Sequence, residues 1–307
     1  MIVELPDTNT TAISKELIKV RDSGGAFTSG RVLTLLVSTY EGEPAEAAIE
    51  AANEASREHP CRVIVVSRAD RNGPSRLDAQ IRVGGDAGAS EVVVLHLFGD
   101  LVDHGKSVVI PFMLPDTPVV TWWPGHGPVN PAADPIGQLG KRRITDSTKA
   151  TDVAATLAQR LATYSPGDSD IAWSRITVWR ALLTSALDQP PHSPITDVEV
   201  SGPADLAAVE LLAGWLHSAL GVPVTRSVGS FQVTVNRESG PLVLCVGMGN
   251  QAIISIPGKP DGKVALPDRE LRSCLAEELR RLDPDETYHL ALQGISGLTR
   301  AEDKIHA

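Results

Sequence analysis

Apolar and polar residues follow two rhythms along this chain, and each change of rhythm marks an element. RVLTLLVST (31–39) is an unbroken β-branched and leucine run, the pattern of a strand buried on both faces. EPAEAAIEAANEASREH then repeats every three to four residues, which places Ala45, Ala48, Ile49, Ala52 and Ala55 on one helical stripe with Glu and Arg opposite. RVIVVSR and SEVVVLHLFG are further buried strands, and LDAQIRV is a weaker one between them. Ahead of these, after a short polar start, Thr11–Arg21 predicts a helix closed at Gly24-Gly25. Residues 100–113 are predicted helical and PVVTW is the next strand. Thr151–Ala162 is a helix with Val153, Leu157 and Leu161 on one face.

The turn-rich stretch TYSPGDSD (163–170) divides the chain into 1–166 and 167–307, with the proline-rich QPPHSPITD as a second break. DIAWSRITVWRALLTSALD resumes as a helix, and ITDVEVSGP is a strand and turn. In ADLAAVELLAGWLHSALG, Leu206, Val209, Ala213, Leu216 and Leu220 share a stripe and Gly221 fits a C-terminal cap. FQVTV, PLVLCVGM and AIISI read as an antiparallel meander. Leu271, Leu275, Leu279 and Leu282 mark a last strong helix, YHLALQG reads as one more strand, and the residues after 297 read as a loose tail. Both halves thus mix strands and helices. The expectation is an α/β protein of two domains with similar topology, mixed sheets flanked by helices, the second carrying the meander.

Composition narrows the function classes. Of 307 residues 42% are hydrophobic and 21% charged, a globular balance. The formal net charge of -10 argues against nucleic acid and against anionic membrane, because both need a dense basic face. No apolar run is long enough to span a bilayer, and the acidic N-terminus lacks a signal-peptide core. Cys61, Cys245 and Cys274 lie far apart and form no C-x-x-C pair, which suits a reducing cytoplasm.

The chemical motifs are sparse. GMGNQA (247–252) matches G-x-G-x-x-A by letter, but a dinucleotide fingerprint must open a helix whose N-terminus meets the pyrophosphate. Here the β-branched IISIPG follows, so a hairpin turn is the better reading. There is no G-x-x-x-x-G-K-[ST], no G-x-S-x-G and no H-E-x-x-H. His96 and His104 lack carboxylates at ligand spacing. Catalytic, cofactor and metal residues are all predicted absent.

The densest passage is TWWPGHGPVNPAADPIGQLGKRRITDS (121–147), read as a long loop after a strand. Adjacent strand residues face opposite sides, so Trp122 and Trp123 do not share a face, and one of them is expected outside the core. Three readings stand: a structural loop, a docking surface for a protein partner, or an anion site at Arg142 and Arg143. Exposed Trp and Arg on a stiffened loop favour interfaces, and paired guanidiniums favour carboxylate or phosphate. The candidate docking residues are Trp122, Trp123, His126, Asp134, Arg142, Arg143 and Asp146.

VVTWWPG, then DPIG, then KRRITDS, with SGRVLTLLVST, DIAWSRITVWRALL and ITDVEVSGP, resemble the glucose-6-phosphate dehydrogenase assembly protein family, OpcA, of actinobacteria and cyanobacteria. The resemblance spans Thr11 to Gly294 in order. It implies a non-enzymatic partner of glucose-6-phosphate dehydrogenase that promotes the active oligomer and so NADPH supply. No catalytic residues come with it. The alternative is a sensor or enzyme binding a sugar phosphate at Arg142 and Arg143.

Overall fold

The computed structural model describes residues 1–23, 30–40, 42–43, 45–83, 91–267 and 269–301. β1 (Ile2–Leu5) and α1 (Thr10–Ser23) precede β2 (Leu33–Tyr40), α2 (Ala45–Ala55), β3 (Cys61–Arg68), β4 (Arg76–Arg82) and β5 (Glu91–Phe98). Short 3-10 turns flank the five-residue α3 (Gly105–Val109), and β6 (Val119–Trp122) and β7 (Arg142–Thr145) follow. After α4 (Val153–Ala162) and β8 (Asp168–Asp170), α5 (Ile171–Arg175) leads into α6 (Thr177–Leu187). Next are β9 (Ile195–Gly202), α7 (Ala207–Leu220), β10 (Val224–Val228), β11 (Gln232–Arg237), β12 (Leu242–Gly247) and β13 (Gln251–Ser255). β14 (Gly262–Ala265), α8 (Leu271–Arg280), α9 (Glu286–Ile295) and β15 (Thr299–Arg300) complete the order. The predicted closure of α1 at Gly24-Gly25 lies outside the described residues.

The chain folds as two compact units that are interleaved in sequence. The first is Met1–Lys149 with Ser165–Ile171 and Glu270–Pro284; the second is Ala150–Tyr164, Ala172–Arg269 and Asp285–Ala307. A linear division at 166/167 and this spatial grouping therefore differ over Ala150–Tyr164, residues 167–171 and Glu270–Pro284.

The first unit is built on an eight-stranded sheet of order β1-β4-β5-β3-β2-β6-β7-β8. From β5 to β8 every neighbouring pair is parallel, whereas β4 runs antiparallel between β5 and β1. Taken in order of appearance, the six parallel strands run 3-2-1-4-5-6, the doubly wound arrangement. Both faces are covered, which explains why LTLLVST reads as an unbroken apolar run. Leu35, Val63, Val94, Trp122 and Ile144 pack with Ala48 and Ala52 of α2 and Leu275 and Leu279 of α8. The opposite face, with Leu36, Ile64 and Leu95, meets Ile13 and Leu17 of α1 and Val109, Phe112 and Ile136.

The second unit carries a seven-stranded sheet, β14-β13-β12-β11-β9-β10-β15, in which β11, β12 and β13 form the predicted antiparallel meander and β14 extends it. Val198, Val200, Val233, Val235, Leu242 and Leu244 pack with Leu157 of α4, Leu183 of α6, Leu212 and Leu216 of α7, and Leu292 of α9. The two sheets differ in strand order and direction, so the likeness of the halves stops at the α/β class.

YHLALQG is helical, not a strand. Asp285 caps α9 by accepting from the Tyr288 N–H at 3.0 Å, and Tyr288, Ala291 and Leu292 bury one stripe. The residues just after 297 are paired: Thr299 and Arg300 run parallel to β10, and the Arg300 guanidinium lies 2.7 Å from the Glu210 carboxylate.

Candidate functional site

In a doubly wound sheet the ligand crevice opens at the carboxyl ends of the strands where the order reverses, here between β2 and β6. A dinucleotide binder places a glycine-rich turn and a helix N-terminus there to hold the pyrophosphate. This chain places Glu43 there. Its carboxylate accepts from the Tyr40 N–H, at the end of β2, and from the His126 N–H, beyond β6, both at 2.9 Å. His126 Nδ1 lies 3.4 Å from the same carboxylate. The side chain of Glu43 is 13% exposed. Gly125 makes this possible, since a Cβ there would lie 2.3 Å from Glu43 Oε1. The Pro-Gly-His-Gly-Pro loop is therefore shaped around an internal carboxylate, which fills an anion-binding position with the chain's own charge.

The residues picked out from the sequence mostly face inward. Trp122 and Trp123 are both fully buried, so neither supplies the exposed ring that strand alternation led us to expect. Trp122 joins the core beneath α2 and α8. Trp123 follows the end of β6, and its N–H continues the ladder to the Ile144 carbonyl. Its ring is enclosed by the returning loop, close enough that a Cβ at Gly137 would come within 3.0 Å of Cη2. Alternation held, but this long loop folds over the second face.

Two members of the basic triplet, Arg142 and Arg143, are equally structural. Arg142 donates from Nη2 to Glu278 at 2.5 Å and from Nη1 to the Asp283 carbonyl at 2.8 Å. Arg143 donates to the Asp168 carboxylate at 2.5 Å, to the Gly140 carbonyl at 3.0 Å and to the Pro166 carbonyl at 2.7 Å. They are 1% and 8% exposed, so the two guanidiniums are turned inward and do not form a solvent-facing pair. Asp146 is buried and accepts from the Thr148 N–H at 3.1 Å. Asp134 accepts from the Ile136 and Gly137 N–H groups and sits 3.4 Å from Arg68. Of the seven candidate docking residues only the His126 side chain is largely exposed, at 78%.

Further cavities among the described residues also have the scale of sites. A small one of about 170 Å³ near the carboxyl ends of β2 and β3 is lined by Tyr40, Arg68, Arg71, Lys106 and Asp134, and its arginines pair with its own acids. A larger one of about 720 Å³ lies in the second unit, with Trp179, Phe231, Arg175 and Arg269 in its wall. Sequence reasoning passed over these four because they are scattered over more than ninety positions and form no motif. Among the described residues no group of three or more His, Cys, Asp or Glu side chains is placed to hold a metal, and no helix is long and apolar enough to cross a membrane.

Two family models match in tandem. The glucose-6-phosphate dehydrogenase subunit N-terminal domain covers residues 52–162, and the corresponding C-terminal domain covers 166–292. The chain belongs to the OpcA family. No curated protein sequence matches this OpcA family member. Among solved structures it is similar to glucose-6-phosphate 1-dehydrogenase from Mycobacterium avium, at 10% identity over 86% of this chain and 90% of that one, TM-score 0.46. It is also similar to apo scyllo-inositol dehydrogenase from Lactobacillus casei, at 13% identity over 87% and 94% of the two chains, TM-score 0.39. Superpositions at this level carry no chemistry across.

Proposed function

We propose that this chain is a non-catalytic subunit of glucose-6-phosphate dehydrogenase, acting as an assembly factor or allosteric activator that supports NADPH production in the oxidative pentose phosphate pathway. The observation that carries the reading is the tandem match to both domains of the dehydrogenase-subunit family. The geometry supports it from a second side. A doubly wound sheet whose crevice is occupied by Glu43 has its phosphate position already filled. Three cysteines that form no disulfide among the described residues, two of them buried, fit work in the reducing cytoplasm.

An activator must bind the active oligomer more tightly than the inactive one, and a tenfold shift needs about 1.4 kcal/mol of differential binding. The test is a titration of purified glucose-6-phosphate dehydrogenase with this chain at limiting glucose 6-phosphate. NADPH formation is followed together with mass by light scattering. A saturable rise in rate with a co-sized complex is expected. The absence of both a complex and a rate change at micromolar concentrations overturns the reading.

A further inference from the structure

In the second unit, β12 turns Leu242, Leu244 and Val246 toward the helix-covered face of the sheet. Leu242 and Leu244 are 0% and 1% exposed, but Val246 is 52% exposed, so the helical cover ends along this strand. The uncovered part is the groove of about 720 Å³. Its walls include the Trp179 and Phe231 rings, whose centroids are 4.4 Å apart and tilted by 59°, with Leu206 at 36% exposure. Next to Val246, the hairpin tip carries Met248 at 95% exposure. The GMGNQA stretch thus displays an apolar side chain at a turn.

Among the described residues that line the groove, the charged ones are both arginines, Arg175 and Arg269. Arg175 donates from Nη1 to the Arg269 carbonyl at 2.7 Å, and no ion pair with a carboxylate forms among the described residues. Its charge therefore stands beside an apolar floor in a chain whose formal net charge is -10. Tryptophan and arginine around exposed aliphatic groups form the composition that concentrates binding energy at interfaces.

We propose that this groove seats an acidic, apolar-bearing segment of the dehydrogenase partner, its aromatic or branched side chain against Trp179 and Val246 and its carboxylate at Arg175. This rests on the subunit reading above. The remainder of this acidic chain repels such a segment, and the arginine-rimmed groove attracts it, which makes the fit one of charge as well as shape.

The test measures dehydrogenase binding by the wild-type chain, Val246→Glu and Arg175→Gln at low and at high salt, with melting temperatures in parallel. Val246 is half exposed, so V246E is expected to fold. Both variants are expected to weaken binding at least tenfold, and the R175Q deficit shrinks as salt rises. Wild-type binding with folded V246E and R175Q within threefold of it overturns the groove and leaves the subunit role standing. Loss of binding by the wild type itself overturns both. A homodimer that V246E disperses assigns the groove to a second copy and overturns the proposal.

Discussion

Replacing Arg143 with alanine separates a buried staple from a surface contact. In the structure Arg143 ties four places together: its own strand β7, the Gly140 carbonyl before it, the Pro166 carbonyl and the Asp168 carboxylate. Arg143 and Asp168 are 8% and 7% exposed, so truncation leaves a largely desolvated carboxylate without its cation. Breaking one side of a buried pair typically costs 3–5 kcal/mol. Asp168 keeps one donor, the Ser165 N–H at 2.8 Å, which puts the expected loss near the low end, about 3 kcal/mol.

Against a net stability of about 5–15 kcal/mol this is a large fraction, and it corresponds to a fall of roughly 6–12 °C in Tm for a unit of this size. Urea unfolding followed by tryptophan fluorescence reads it, because Trp122 and Trp123 both lie in the same unit. Arg57→Ala is the control. Arg57 is 67% exposed and pairs with Glu54 one helical turn away, so its loss should stay below about 0.5 kcal/mol. An R143A variant that loses less than about 1 kcal/mol refutes the buried staple and returns Arg143 to the surface.

Gly294→Ala should destabilise by about 2 kcal/mol despite alanine's better helix propensity, because its Cβ would meet the Gly214 carbonyl at 2.0 Å where α7 and α9 cross; an unchanged urea midpoint defeats this. Glu91→Gln should cost about 3 kcal/mol, since Glu91 is 1% exposed and pairs with Arg21, Arg31 and Arg62 at 2.7–3.1 Å; thermal unfolding checks it. The hydrogen bonds from Arg82 and Arg280 hold the Glu46 and Glu58 carboxyls below the ordinary 4.5. A lowered folded pKa gives stability that is present above the unfolded value and lost as pH falls through the folded one. The difference between wild type and Arg280→Gln should therefore shrink below pH 4.5, and a gap that widens on acidification contradicts it. With Glu43 in the phosphate position, NADP and NADPH should leave the melting temperature unchanged, which a thermal-shift titration reads directly.

The long, strongly patterned elements were legible in the sequence because one force dominated each of them. Buried parallel strands show as apolar runs, and α2, α4 and α7 show as stripes. Not every short strand showed. In β7, RRIT, two arginines occupy positions that apolar patterning reserves for hydrophobic residues. Their burial depends on Glu278 and Asp168, which are 136 and 25 residues away. No local window contains that compensation. α9 was hidden differently, since its alanine and glycine positions look weak alone and make sense only against Gly214 of α7. The Asp285 cap was the available signal.

The same reasoning explains why most of the candidate docking residues are buried. Tryptophan next to a proline-glycine loop, followed by a basic triplet, has the composition of an interface, yet composition does not say which way a loop folds. Gly125 leaves room for the Glu43 carboxylate, which ties the loop to the end of β2, and the arginines of β7 turn inward to Glu278 and Asp168. Of the candidate docking residues, the one whose side chain remains largely exposed is His126, a poor carrier of binding energy on its own. The second unit presents the converse: an unremarkable sequence whose cover stops short along β12, leaving Val246, Trp179 and Arg175 in one groove. Recognition of a partner requires exposed apolar surface with a matching charge, and among the described features this groove meets both conditions. The crevice between β2 and β6, filled by Glu43, meets neither.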